Sequence, residues 1–207
     1  MANLFYDISS VPPESYPYYF CDANVWIATL KSYGIGGVAK HEQPYISFVD
    51  GIINLNEIQE SIIAKKAKNQ PKIVLCSLLV SEILNAYMRN IAMKAFFGGG
   101  TNYKSFDFKM NYREDPASDY NKQINSLITD FLAFSDYTIL FNDGFDKLDL
   151  SVLLSSLIIS NIDFNDHYYH HFLKKMKIPL VTHDKDCNFP DLPILTSQYK
   201  LLRISDV

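Results

Sequence analysis

Short apolar runs that stop at polar residues and alternate with helix-length segments constrain this chain most. The first is YYFCDANVWI, Tyr18–Ile27. Its apolar start reads as a buried strand. Asp, Ala and Asn are poor strand-interior residues, so the strand should end near Asp22. KIVLCS (Lys72–Ser77) and IPLVTHD (Ile178–Asp184) repeat the pattern, and YTILF (Tyr137–Phe141) and LPILT (Leu192–Thr196) are two further strand candidates. Strands alternating with helices predict an α/β sandwich with a mostly parallel sheet.

A helical pattern covers Ser47–Lys68, with Phe48, Ile52, Leu55, Ile58, Ile62 and Ile63 on one face. Lys65, Lys66 and Lys68 crowd its last turn, which suits the negative helix end. A second long helix is predicted over Leu78–Phe97, ended by Gly98, Gly99 and Gly100. Others start at Tyr120, span Leu148–Ile159, and run from Asp166 to about Lys177. Pro12, Pro13 and Pro17 make residues 1–17 read as an extended arm laid over one domain of residues 18–207. The polar stretch 98–119 reads as an insertion or a flap.

With 48% hydrophobic and 20% charged residues, the 207-residue chain has a globular composition and length enough for a sizeable core. No apolar run approaches the roughly 20 residues of a membrane span. The start, MANLFYDISSVPPESYPYYF, has neither the basic residues nor the apolar core of a secretion signal. Cys21, Cys76 and Cys187 show no paired spacing and read as buried thiols, which makes a reducing cytoplasm the simplest compartment. A net charge of −4 argues against a wide basic nucleic-acid face, while allowing a basic rim around an acidic cleft.

Acids recur at comparable places. Asp22 ends the first strand, and Glu82 sits one turn into the helix after the second. Asp166 opens a late helix, and Asp184 ends the strand that this helix feeds. In a parallel sheet they would meet at one edge, where ligands of open α/β sheets bind. Each has a local alternative: Asp22 and Asp166 as helix caps, Glu82 as a solvated helix residue, Asp184 as a turn residue. Converging carboxylates raise one another's pKa unless a cation lies between them. Oxygen ligands suit Mg2+ or Mn2+. Such ions support phosphodiester hydrolysis with no covalent protein intermediate.

In this order the segments DANVWI, SLLVSEILNAYMR, IDFNDHYYHHFL and PLVTHDKDC resemble those of PIN-domain ribonucleases, over roughly residues 18–197. The resemblance implies a three-layer α/β/α sandwich, Mg2+ or Mn2+, and cleavage of single-stranded RNA. It makes Asp22, Glu82, Asp166 and Asp184 the catalytic metal ligands, with Asp163 and Asp186 as extra or outer acids. Asn24 and Thr182 would orient ligands or water. Arg89 could hold a substrate phosphate or sit in a surface salt bridge, and Lys185 could do the same. Many such proteins are toxins paired with a small antitoxin, so an antitoxin and a homodimer are the candidate protein partners. The chain departs from compact toxins in its proline-rich start, in the length around 98–119, and in Cys187, where Phe is common.

Two rivals stand beside this reading. One is a non-catalytic PIN-like protein-binding module. The other is a phosphohydrolase using Asp22 as nucleophile, although that chemistry usually wants a second Asp where this chain has Asn24. His167, His170 and His171 lack the HExxH pattern of a helix zinc site and read as structural or surface histidines.

Overall fold

The computed structural model describes residues 4–61, 70–160, 163–189 and 191–203. The strands are β1 (Phe5–Asp7), β2 (Tyr18–Cys21), β3 (Lys72–Leu75), β4 (Thr138–Leu140), β5 (Leu180–Val181) and β6 (Ile194–Thr196). They form one sheet in the order β1-β6-β5-β2-β3-β4, and every adjacent pair runs parallel. β5 is short for a local reason. Pro179 precedes it and Pro193 precedes its neighbour β6, and proline has no N–H to give a ladder.

The larger helices are α1 (Ala23–Tyr33), α2 (Gln43–Ser61), α3 (Ser77–Tyr87), α5 (Tyr120–Leu132), α6 (Leu150–Ser160) and α7 (Phe164–Met176). Two short ones are α4 (Met93–Phe96) and α8 (Tyr199–Leu202). Alternation along β2 shows how the layers form. Fully buried Tyr19 packs edge-on against Phe48 of α2, with ring centroids 5.0 Å apart. The next residue, Phe20, points to the other face and meets Tyr169 and Phe172 of α7. α1 packs on α2, α3 and α5, and α6 on α7, which gives the expected α/β/α sandwich. Trp26 of α1 anchors the first layer against Phe131 and Phe134.

From β2 the chain steps to β3 and β4 on one side, then crosses to β5 and β6 on the other. The direction therefore reverses between β2 and β5, and a crevice opens above their carboxyl ends.

Residues 4–17 do not form an extended arm. Phe5–Asp7 pairs with Ile194–Thr196 as the edge strand, and Ile8 is buried behind it. The apolar Phe5 and Ile8 gain more from joining the core than an exposed arm would allow. The stretch 98–119 is also packed against the domain. Phe108 and Tyr112 are buried there, and Tyr112 donates to Asp119 at 3.1 Å. The helix expected over 78–97 is broken by a π-helical turn at Met88–Ala92. Lys65, Lys66, Lys68, Ile62 and Ile63 lie outside the described residues. Among the described residues, no helix is long and apolar enough to cross a membrane.

Candidate functional site: an acidic crevice above the sheet

Asp22 follows the last residue of β2 and is both cap and site acid. Its Oδ1 accepts from the Val25 N–H at 2.8 Å, as the N-cap of α1. Its Oδ2 accepts from the Thr182 hydroxyl at the end of β5. Thr182 in turn accepts from the Asp184 N–H at 2.8 Å. One hydroxyl thus ties the two strands that flank the crevice to two of the predicted acids.

Glu82 comes from α3. Its Oε2 accepts from the Tyr169 hydroxyl of α7 at 2.8 Å, with the Asn165 amide at 3.5 Å. Asp166 lies in the first turn of α7, one turn later than expected. Asp163 is the cap, and its Oδ1 accepts from the Asp166 N–H at 3.0 Å. The early start follows from Asp163 being an N-cap residue type placed three residues ahead of a free backbone donor.

Electrostatics show that these groups face one another. Burial pushes the Asp22 carboxyl up to about 7 against the lowering by Thr182 and Val25, and Asp184 and Glu82 push the same way. Burial also lifts Asp166 to about 7, helped by Asp163, Asp184, Glu82 and Asp22. Glu82 is raised by burial and by Asp163, and held down by Tyr169 and Asn165. Buried Cys187 lies beneath them, its thiol raised by burial and then by Asp22, Asp166 and Asp184. Among the described residues, no lysine or arginine is a main influence on Asp22 or Asp166.

The donor chemistry, all carboxylate oxygen, fits a hard divalent cation. The close geometry is a separate matter. Among the described residues, no group of three His, Cys, Asp or Glu stands in metal-ligating arrangement. Three of the four carboxylates are turned to local donors: Asp22 to Val25 and Thr182, Glu82 to Tyr169, Asp184 to the Asp186 N–H. A cation would have to draw them in by side-chain rotation.

The other predicted residues separate into three places. Asp163 and Asp186 are exposed at the rim. Asn24 and Lys185 line a small cavity beside Asp184, together with His41 and His183. Arg89 lies in the π-helical turn after α3, its guanidinium 4.4 Å from the centre of the Phe108 ring, and among the described residues it forms no salt bridge. Sequence reasoning missed Tyr169 and Tyr45. Tyr169 follows Asp166 by three residues on one helix, a spacing that puts both on one side. Tyr45 gave no such signal. Its hydroxyl contacts the Thr182 carbonyl and His183 Nδ1, both at 3.0 Å, and accepts from the Ser197 N–H at 2.8 Å.

The fold and this edge define an α/β/α sandwich with an acidic crevice at its topological switch point. The chain matches no protein-family model, no curated protein and no solved structure.

Proposed function

We propose that the protein is a metal-dependent endoribonuclease that hydrolyses phosphodiester bonds of single-stranded RNA, as its resemblance to PIN-domain ribonucleases implies. The observation that carries this reading is that Glu82 and Asp184, from separate elements, bear on both Asp22 and Asp166. These side chains would hold Mg2+ or Mn2+. A bound divalent cation supplies polarisation of a phosphate oxygen and a more acidic water. The chain's own residues set the geometry: Thr182 fixes the rotamer of Asp22, and Tyr169 fixes that of Glu82. Each Asp22 oxygen accepts one hydrogen bond, from Val25 or Thr182, which leaves a lone pair on each for a cation.

Free buried Cys21, Cys76 and Cys187 suit a reducing compartment such as the cytoplasm. An antitoxin-like protein and a second copy of the chain are the protein partners this reading adds.

The test is cleavage of labelled single-stranded RNA with Mg2+ or Mn2+, wild type beside Asp22→Asn and Asp166→Asn. Asn keeps size and removes charge. Cutting that stops with chelator and in both folded variants supports the reading. An inert wild type across several RNAs sinks it. A non-catalytic protein-binding module is the second reading, favoured by the absence of a ligating group of three among the described residues. It requires that neither ion raise the melting temperature.

A further inference from the structure

A cavity of about 760 Å³ lies outside the acidic crevice, with none of the four acids in its lining. Its floor is the carboxyl end of β3 and β4 with one side of α3. Its outer wall comes from Phe108 and Arg113, within the stretch that reads from sequence as an insertion. A cavity of this size is in the small-ligand range, about 300–1,000 Å³.

Its chemistry narrows the occupant. Phe108, Tyr120 and Phe141 offer aromatic surface, and Leu84 adds aliphatic surface. Aromatic rings accept flat heterocycles by stacking. Arg113 lines the wall, with an exposed contact to Glu114 at 3.6 Å, and Arg89, outside the lining, lies over the Phe108 ring. Asn85 adds hydrogen-bonding specificity. Its Nδ2 is committed to the Ser81 carbonyl at 2.8 Å, which leaves Oδ1 as an acceptor for a ring N–H or amine. Flat surface, a directional acceptor and nearby guanidinium groups match a nucleotide better than a lipid or an aliphatic acid.

A shallower depression of about 500 Å³ shares Ser77, Ser81 and Asp143 with the cavity. That depression reaches Phe164 and Tyr168 on α7, the helix that carries Asp166. Ser81 is adjacent in sequence to Glu82.

We propose that this cavity binds a nucleobase, and that the 102–113 segment is the element that selects it. In the substrate strand this rests on the nuclease reading, whereas binding of a free nucleotide does not. The experiment is calorimetric titration of the full chain, in chelator, with adenosine, cytidine, guanosine and uridine monophosphates. Wild type is compared with Ser81→Trp, which fills the junction, and with Asn85→Ala, an exposed change that leaves the core intact. At least one monophosphate should bind with Kd below about 1 mM. Ser81→Trp should weaken it about tenfold or more, and Asn85→Ala by a smaller factor. No binding by any monophosphate overturns the proposal, as does equal binding of benzyl alcohol or unchanged binding in the folded variants. Binding without RNA cleavage keeps the cavity and removes the nuclease reading. Cleavage without mononucleotide binding does the reverse.

Discussion

The Thr182 hydroxyl donates to the carboxylate of Asp22, joining the ends of β5 and β2 where the sheet reverses direction. It also takes the Asp184 N–H, so its removal orphans an acceptor and a donor together. Thr182 and Asp22 are both buried.

Thr182→Val keeps the shape and deletes the hydroxyl. A buried polar group left unsatisfied costs about 1–3 kcal/mol. In a domain of this size each kcal/mol lowers the melting temperature by about 2–4 °C. Thermal melting should show that loss, and RNA cleavage should fall with it, because Asp22 loses the contact that fixes its rotamer. A variant as stable and as active as wild type would show that the hydroxyl does not organise the site.

Asp22 makes stability depend on pH in a definite direction. Its folded pKa is raised to about 7 from the ordinary 3.8. Between those values the folded state binds a proton that the unfolded chain does not, so this group's contribution falls as pH rises through that window. His171 and His183 act oppositely, since burial lowers both and favours their neutral forms as pH rises. Comparison with Asp22→Asn isolates the carboxyl. In chelator, the variant should gain on wild type between about pH 4 and about pH 7, while Mg2+ or Mn2+ should raise wild type alone. Parallel melting profiles would remove Asp22 from the acidic cluster.

Tyr169→Phe removes the 2.8 Å donor to Glu82 and leaves the buried ring in place. Outer partners of a metal ligand are worth about 10–100-fold in metal affinity. On the nuclease reading, the apparent affinity for Mn2+ should therefore drop by about tenfold with little change in melting temperature. An unchanged affinity would mean that Glu82 is not a ligand.

The four candidate acids carry a local signal: Asp22 and Asp184 beyond strand ends, Asp166 in a first helical turn, and Glu82 one turn further into its helix. Asp22, Glu82, Asp166 and Asp184 each carry that signal in their own segment. The strands were legible for the same reason, as apolar runs with polar ends. What failed was non-local. Nothing near Phe5 announces that its partner is Ile194, almost the full chain away, so prolines made the N-terminal stretch look like an arm. Phe108 and Tyr112 sit in a polar segment, and only tertiary packing shows that they are buried. Tyr45 joins α2 to Thr182 across 137 residues, beyond any periodic pattern.

Gly51 tests the docking of that N-terminal stretch on α2. Ala at a helix interior normally gains about 1 kcal/mol over Gly. At Gly51, an added Cβ would lie 2.8 Å from Cγ of Pro13. A proline ring cannot swing aside as a long side chain can, and overpacking costs about 1–3 kcal/mol. The clash should win, and Gly51→Ala should melt lower than wild type. In a Pro13→Ala background the obstacle is gone, so the same substitution should reverse sign and stabilise by up to about 1 kcal/mol. Denaturant melts of the four proteins in this cycle give the coupling directly. If Gly51→Ala stabilises in both backgrounds, the Pro13 turn does not pack on α2, and the N-terminal stretch returns to the status of an arm.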